Sequence, residues 1–96
     1  MRKNEQTFSE LVKLMFRDEK TKPIYFQTKI EMAWRKEMGE TIDRNTQDIF
    51  LKNRILYIKI TSASLKQELS FSKDKILQFA NSTINEENYI TQIVIV

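Results

Sequence analysis

Cysteine and histidine are both absent from these 96 residues, and glycine, proline and tryptophan occur once each. Without cysteine there is no disulfide and no thiolate-bound metal to staple the chain. Its stability, on the order of 5 to 10 kcal/mol for a domain of this size, must come from packing. A reducing, intracellular setting fits that composition. Losing histidine as well removes the usual general base at neutral pH, and the pair of absences removes the thiol nucleophile and nearly every zinc or transition-metal site. A lone Gly39 can build neither a dinucleotide-binding fingerprint nor a P-loop. The expectation is a protein that is not an enzyme, with no catalytic residue, no metal, no cofactor and no small-molecule substrate. Glu86 and Glu87 are adjacent acids on a polar stretch, read most simply as solvated surface. No apolar run approaches the roughly 20 residues a membrane span needs, and the start, Met-Arg-Lys-Asn-Glu-Gln, is polar. Neither signal peptide nor membrane anchor is expected, and the expected location is cytoplasmic.

What is present is ordinary for a folded domain: 41% hydrophobic and 30% charged residues, with a formal net charge of +3. The length suits one core. Phe8, Leu11, Val12, Met15 and Phe16 recur at helical spacing, which predicts a first helix ending near Asp18. Pro23 suits the first turn of a second helix, whose stripe is Phe26, Ile30, Ala33, Trp34 and Met38 and which Gly39 stops. Residues 41–51 are irregular but compatible with a strand. Residues 55–61 alternate, with Leu56, Ile58 and Ile60 on one face and Tyr57 and Lys59 on the other. Lys52-Asn53-Arg54 reverses the chain between them, either as a tight turn that forces Arg54 left-handed or as a looser one. Ser62 or Ser64 caps a third helix, Ser64 with Gln67 having the spacing of a capping box. Its stripe of Leu65, Leu69, Ile76, Leu77, Ala80 and Ile84 is interrupted by Ser72 and Lys73, which points to a break near Phe71 and Ser72. A polar loop over 81–88 and a β-branched strand over 90–96 complete the chain. The order is helix, helix, strand, strand, helix, strand: an α+β fold with a three-stranded sheet and helices packed on one face.

Charge is unevenly placed. Between Asp48 and Glu68 there is no acid, yet Lys52, Arg54, Lys59 and Lys66 all fall there, so the hairpin and the start of the third helix form the basic part of the chain. Lysine and arginine neutralise phosphates, and Tyr57 can offer a ring to an unpaired base. The plainer reading is that these cations solubilise an exposed hairpin and deter edge pairing. Arg35 and Lys36 extend the same surface if they face it, with Arg44 beyond; alternatively they pair with Glu31 and Glu40 at helical spacings. Trp34 lies in an apolar stripe and is read as core, becoming a partner-contact anchor only if exposed. Phe71 and Phe79 are read as core too.

Taken together, these residues resemble the DciA-type family, small bacterial proteins associated with the replicative helicase, whose shared domain is KH-like. The resemblance runs from about Phe8 to the C-terminus. It rests on Ala33-Trp34 with Gly39 five residues after the Trp, on Thr41-Ile42, on the hairpin over 49–60, and on Gln67-Glu68-Leu69-Ser70-Phe71 followed by Ile76-Leu77 and Asn81. It implies a KH-like domain over 1–96, with 1–6 a flexible lead-in, acting as an adaptor that engages a DnaB-type helicase and binds single-stranded DNA or other nucleic acid. Two departures matter. Family members often carry a downstream extension beyond the last strand, which here reaches Val96, and they usually place Gly where Arg54 stands. Lacking a Gly-X-X-Gly loop, any nucleic-acid contact is expected to be electrostatic and largely independent of sequence. Two other readings share the size and charge: a KH-like RNA-binding or ribosome-maturation module, and a pure protein-interaction domain held through the 90–96 strand or exposed aromatics.

Overall fold

The computed structural model describes residues 20–96; the first helix, expected to end near Asp18, and the lead-in at 1–6 lie outside the described residues. Helix α1 spans Lys22–Glu37, with Pro23 in its first turn, where a missing N–H costs nothing. Phe26, Ile30 and Trp34, one turn apart, are its buried row. Gly39 follows at φ 93° and ψ 163°, a conformation essentially closed to any residue with a Cβ. That reversal feeds a short helix, α2, over Glu40–Asn45. The sequence pattern there suggested strand-compatible irregularity. A helix of six residues is too short to show a period, and Ile42 is its single apolar position.

Strands β1 (Thr46–Lys52) and β2 (Ile55–Ile60) form an antiparallel hairpin, and β3 (Gln92–Ile95) runs parallel to β2, giving a mixed sheet of order β1-β2-β3. The turn is the tight one: Asn53 at φ 53° and Arg54 at φ 64° are both left-handed, the signature of a type I′ connection. A register shift between Thr46 and Asp48 sets Gln47 as an extra residue on β1. Thr46 and Ile49 are three residues apart and would otherwise face opposite ways; the bulge lets both point inward, where both are buried.

After β2, Ser62 is the cap of helix α3 (Ala63–Ser70), its Oγ accepting from the Leu65 amide at 3.2 Å. The Ser64 and Gln67 capping box does not form; Ser64 Oγ instead lies 3.2 Å from Ser62 Oγ. The expected break divides the helical region into α3 and α4 (Lys73–Thr83). Amides of Phe71 and Ser72 donate to the carbonyls of Glu68 and Leu69 at 3.1 and 2.9 Å, closing a tight turn. This keeps Leu69 and Ile76 buried while Lys73 remains in water. Phe71, expected in the core, sits on that turn at 82% exposure, because the residue that breaks the helix cannot also follow its buried stripe. Helix α4 runs to Thr83, so the polar loop begins later than the sequence indicated, with Asn85 and Asn88 left-handed. Asn81 then grips the start of β3 at both ends of one amide: its Nδ2 donates to the Ile90 carbonyl at 3.1 Å and its Oδ1 accepts from the Ile90 amide at 2.9 Å.

The described helices pack on one face of the sheet, as the KH-like α+β reading requires. Ile49, Leu51, Leu56, Ile58, Ile60 and Ile93 face them and join Phe26, Ile30, Trp34, Leu69, Ile76 and Ala80 in a single core. None of the described helices is long and apolar enough to cross a membrane.

Candidate nucleic-acid interface

Period-two alternation sends the other half of each strand to the opposite face. The ladder pairs Asp48 with Lys59, Phe50 with Tyr57 and Lys52 with Ile55, while β3 sets Gln92 beside Ile55 and Val94 beside Tyr57. The outer face therefore carries Phe50, Tyr57 and Val94 across its middle, Lys52 with Ile55 at one end and Lys59 at the other. Val96 extends it, 42% exposed, with its amide donating to the Ile58 carbonyl at 2.9 Å.

Phe50 and Tyr57 are stacked across the two strands, ring centroids 4.8 Å apart and planes within 10°. That separation matches the spacing between neighbouring strands, so the rings stand side by side as their backbones do. Tyr57 is half-buried in this arrangement, with Val94 on its far side; Phe50, on the edge strand, is 36% exposed. Lys52 and Lys59 are exposed, and among the described residues neither lies within ion-pair distance of a carboxylate. Asp48, the cross-strand neighbour of Lys59, turns its Oδ1 to the Ile49 amide at 2.9 Å.

The remaining candidate cations go elsewhere, so the single flank expected from sequence is divided. Arg54 projects from the left-handed turn toward the loop before β3, its guanidinium 4.7 Å from the centroid of the buried Tyr89 ring. Its carbonyl accepts from the Thr91 amide at 2.9 Å, pinning the hairpin tip to the start of β3. Lys66 is half-buried on α3, in the helical layer rather than on the outer face. Lys36 and Arg44 are exposed near the ends of α1 and α2.

Arg35 has a structural task. Its Nη1 donates to the carbonyls of Asp43 and Thr46 at 3.0 and 2.8 Å and to Asp43 Oδ1 at 3.1 Å, and its Nη2 lies 3.5 Å from Glu31 Oε2. One guanidinium thus joins α1, α2 and β1, and this pairing matches the plainer reading of Arg35, with Asp43 in place of Glu40. Trp34 is fully buried, its Nε1 donating to Thr46 Oγ1 at 2.9 Å, and that hydroxyl donates on to the Ile42 carbonyl at 2.6 Å. The condition for Trp34 as an exposed anchor is not met. Phe79 meets its ring edge-on at 6.2 Å.

Sequence reasoning named Tyr57 and passed over Phe50. The usable signal was the antiparallel register, because the tight turn at Asn53 and Arg54 makes Phe50 the cross-strand partner of Tyr57.

A family model described as "Dna[CI] antecedent, DciA" matches residues 7–95 of the chain. No curated protein and no solved structure matches it.

Proposed function

The chain belongs to the DciA family, and from that premise we propose that it is a non-catalytic adaptor that engages a DnaB-type replicative helicase and holds DNA weakly through the outer side of its hairpin. The family relates to the loading of the replicative helicase, and the match over residues 7–95 is the observation that carries the reading. The DNA half is supported by Lys52 and Lys59, two exposed cations on one face with no carboxylate pairing them among the described residues. Each phosphate they neutralise adds a salt-sensitive increment of affinity and no sequence preference. The helicase half has candidate contacts on the helical side, where Phe71, Met32 and Ile24 are all exposed.

Two measurements test it. The full chain, immobilised, is offered purified DnaB-type helicase and, separately, ribosomal subunits; capture of the helicase supports the reading, and capture of ribosomal subunits alone reverses it in favour of an RNA-associated role. In the second, single-strand affinity is followed across a salt series. A flat salt response, or no loss on Lys52→Glu with Lys59→Glu, removes the DNA half.

A further inference from the structure

We infer that Phe50 is a base-stacking residue: an unpaired base of single-stranded DNA lies on the free face of its ring, extending the Tyr57 and Phe50 stack, while the strand's phosphates meet Lys52 and Lys59. The inference rests on the DNA half of the proposed function and names what that half would recognise.

Three observations carry it. First, the stack has an open end. Tyr57 has Phe50 on one side and the β3 residue Val94 on the other, whereas among the described residues β1 is the edge of the sheet and no strand lies beyond the Phe50 ring. The Leu51 amide on that edge is already bonded to Gln27 Oε1 at 2.9 Å, so an added β-strand would have to displace this bond. A base needs none of those backbone groups. Second, the cations bracket the aromatic pair. Lys52 aligns with Ile55, and Lys59 lies four residues further along β2, roughly 13 Å away at the usual strand rise. Phe50 and Tyr57 occupy the midpoint of that span. Third, the charge favours a polyanion over a second copy of the chain. The side chains of the face carry Lys52 and Lys59 against Asp48, a net positive charge, so two such faces brought together would each bring charge of the same sign.

Stacking on an aromatic face accepts every base, which agrees with the lack of a Gly-X-X-Gly loop in the sequence, and it selects single strands because duplex bases are already stacked on each other. Arg54, engaged with Tyr89, and Lys66, in the helical layer, are outside this site.

The test uses the full chain with a thymidine oligonucleotide, the matching duplex and a uridine oligonucleotide, in parallel with Phe50→Leu, Phe50→Trp and the double variant Lys52→Gln with Lys59→Gln. Phe50→Leu is expected to weaken single-strand binding about five- to 160-fold, the range typical of losing one base stack, with duplex binding and urea midpoint little changed. Phe50→Trp is expected to retain binding and to show emission quenched by the oligonucleotide, a signal the buried Trp34 does not supply. Ultraviolet cross-linking should place thymidine on tryptic peptide 45–52. Salt-dependent binding that Phe50→Leu leaves intact while the lysine variant weakens it overturns the stacking site and leaves the basic-hairpin reading standing. Loss of neither, or no binding by the parent chain, overturns both. Tighter binding of the uridine strand with the same Phe50 dependence overturns the assignment to DNA.

Discussion

The two faces of one three-stranded sheet are built from the same alternating strands and end in opposite conditions. On the helix side, Ile49, Leu56 and Ile58 have no exposed surface at all, and their neighbours Leu51, Ile60 and Ile93 are nearly as buried. On the other side, a stacked aromatic pair and flanking aliphatics lie among lysines at the water boundary. A face that served only to be solvated would not need Phe50, Val94 and Val96, and one awaiting a helix would not need Lys52 and Lys59. The difference teaches where to look for energy and where to look for binding: truncation inside should cost stability, and substitution outside should cost affinity.

The largest expected effect breaks the inner face. Ile58→Ala should lower unfolding free energy by about 2 to 5 kcal/mol, the usual cost of a cavity at a fully buried aliphatic site, read as a lower urea midpoint at unchanged slope. Phe50→Ala, on the paired strand but facing out, should cost about 1 kcal/mol or less. Equal losses would erase the distinction between the faces. Next comes the join that holds β3 in register under both faces. Asn81→Ala leaves the buried Ile90 amide without its partner, for an expected loss of about 1 to 3 kcal/mol, together with faster amide exchange along Gln92–Ile95 in hydrogen-exchange measurements.

A smaller effect concerns the hairpin tip. Arg54 carries a left-handed backbone and also covers Tyr89. Thermal melts should find Arg54→Gly more stable than Arg54→Ala by about 1 kcal/mol, because glycine alone escapes the penalty of that conformation. Reversed order would mean that the turn relaxes to another geometry. Smallest of all in stability, Lys52→Gln and Lys59→Gln should each stay within about 0.5 kcal/mol. Each should also reduce the slope of log affinity against log salt by about 0.7 for a single strand. That combination would sharpen the contrast most cleanly, since these two residues would then matter to binding alone.

Much of this was legible in the residues. The Phe26, Ile30 and Trp34 spacing announces α1, Pro23 and Gly39 bracket it, and the alternation of Leu56, Ile58 and Ile60 announces β2 and its inward face. The break near Phe71 was visible as polar residues intruding on an apolar stripe. Less legible were features that depend on partners distant in sequence. The helix over Glu40–Asn45 is too short for periodicity, and its arrangement depends on Arg35 reaching Asp43 and Thr46. The bulge at Gln47 answers to Trp34, whose indole N–H needs the Thr46 hydroxyl inside. Basic residues close together along the chain were expected to share a flank; strand alternation and the turn into α3 put Lys59 and Lys66 in different layers.

Composition and periodicity by themselves determined the class of molecule: an α+β chain without histidine or cysteine, stabilised by aliphatic packing, with a run of cations and no acid between positions 52 and 66. Those properties are local, set by which residue types occur and how often they repeat. Only the tertiary structure decided which cations remain available, that Arg35 is a structural clamp, that Phe71 stands in water and that Phe50 completes an aromatic stack with Tyr57. Each of those depends on the register and packing of segments far apart in sequence, and a one-residue change of register would turn the same side chains to the opposite face.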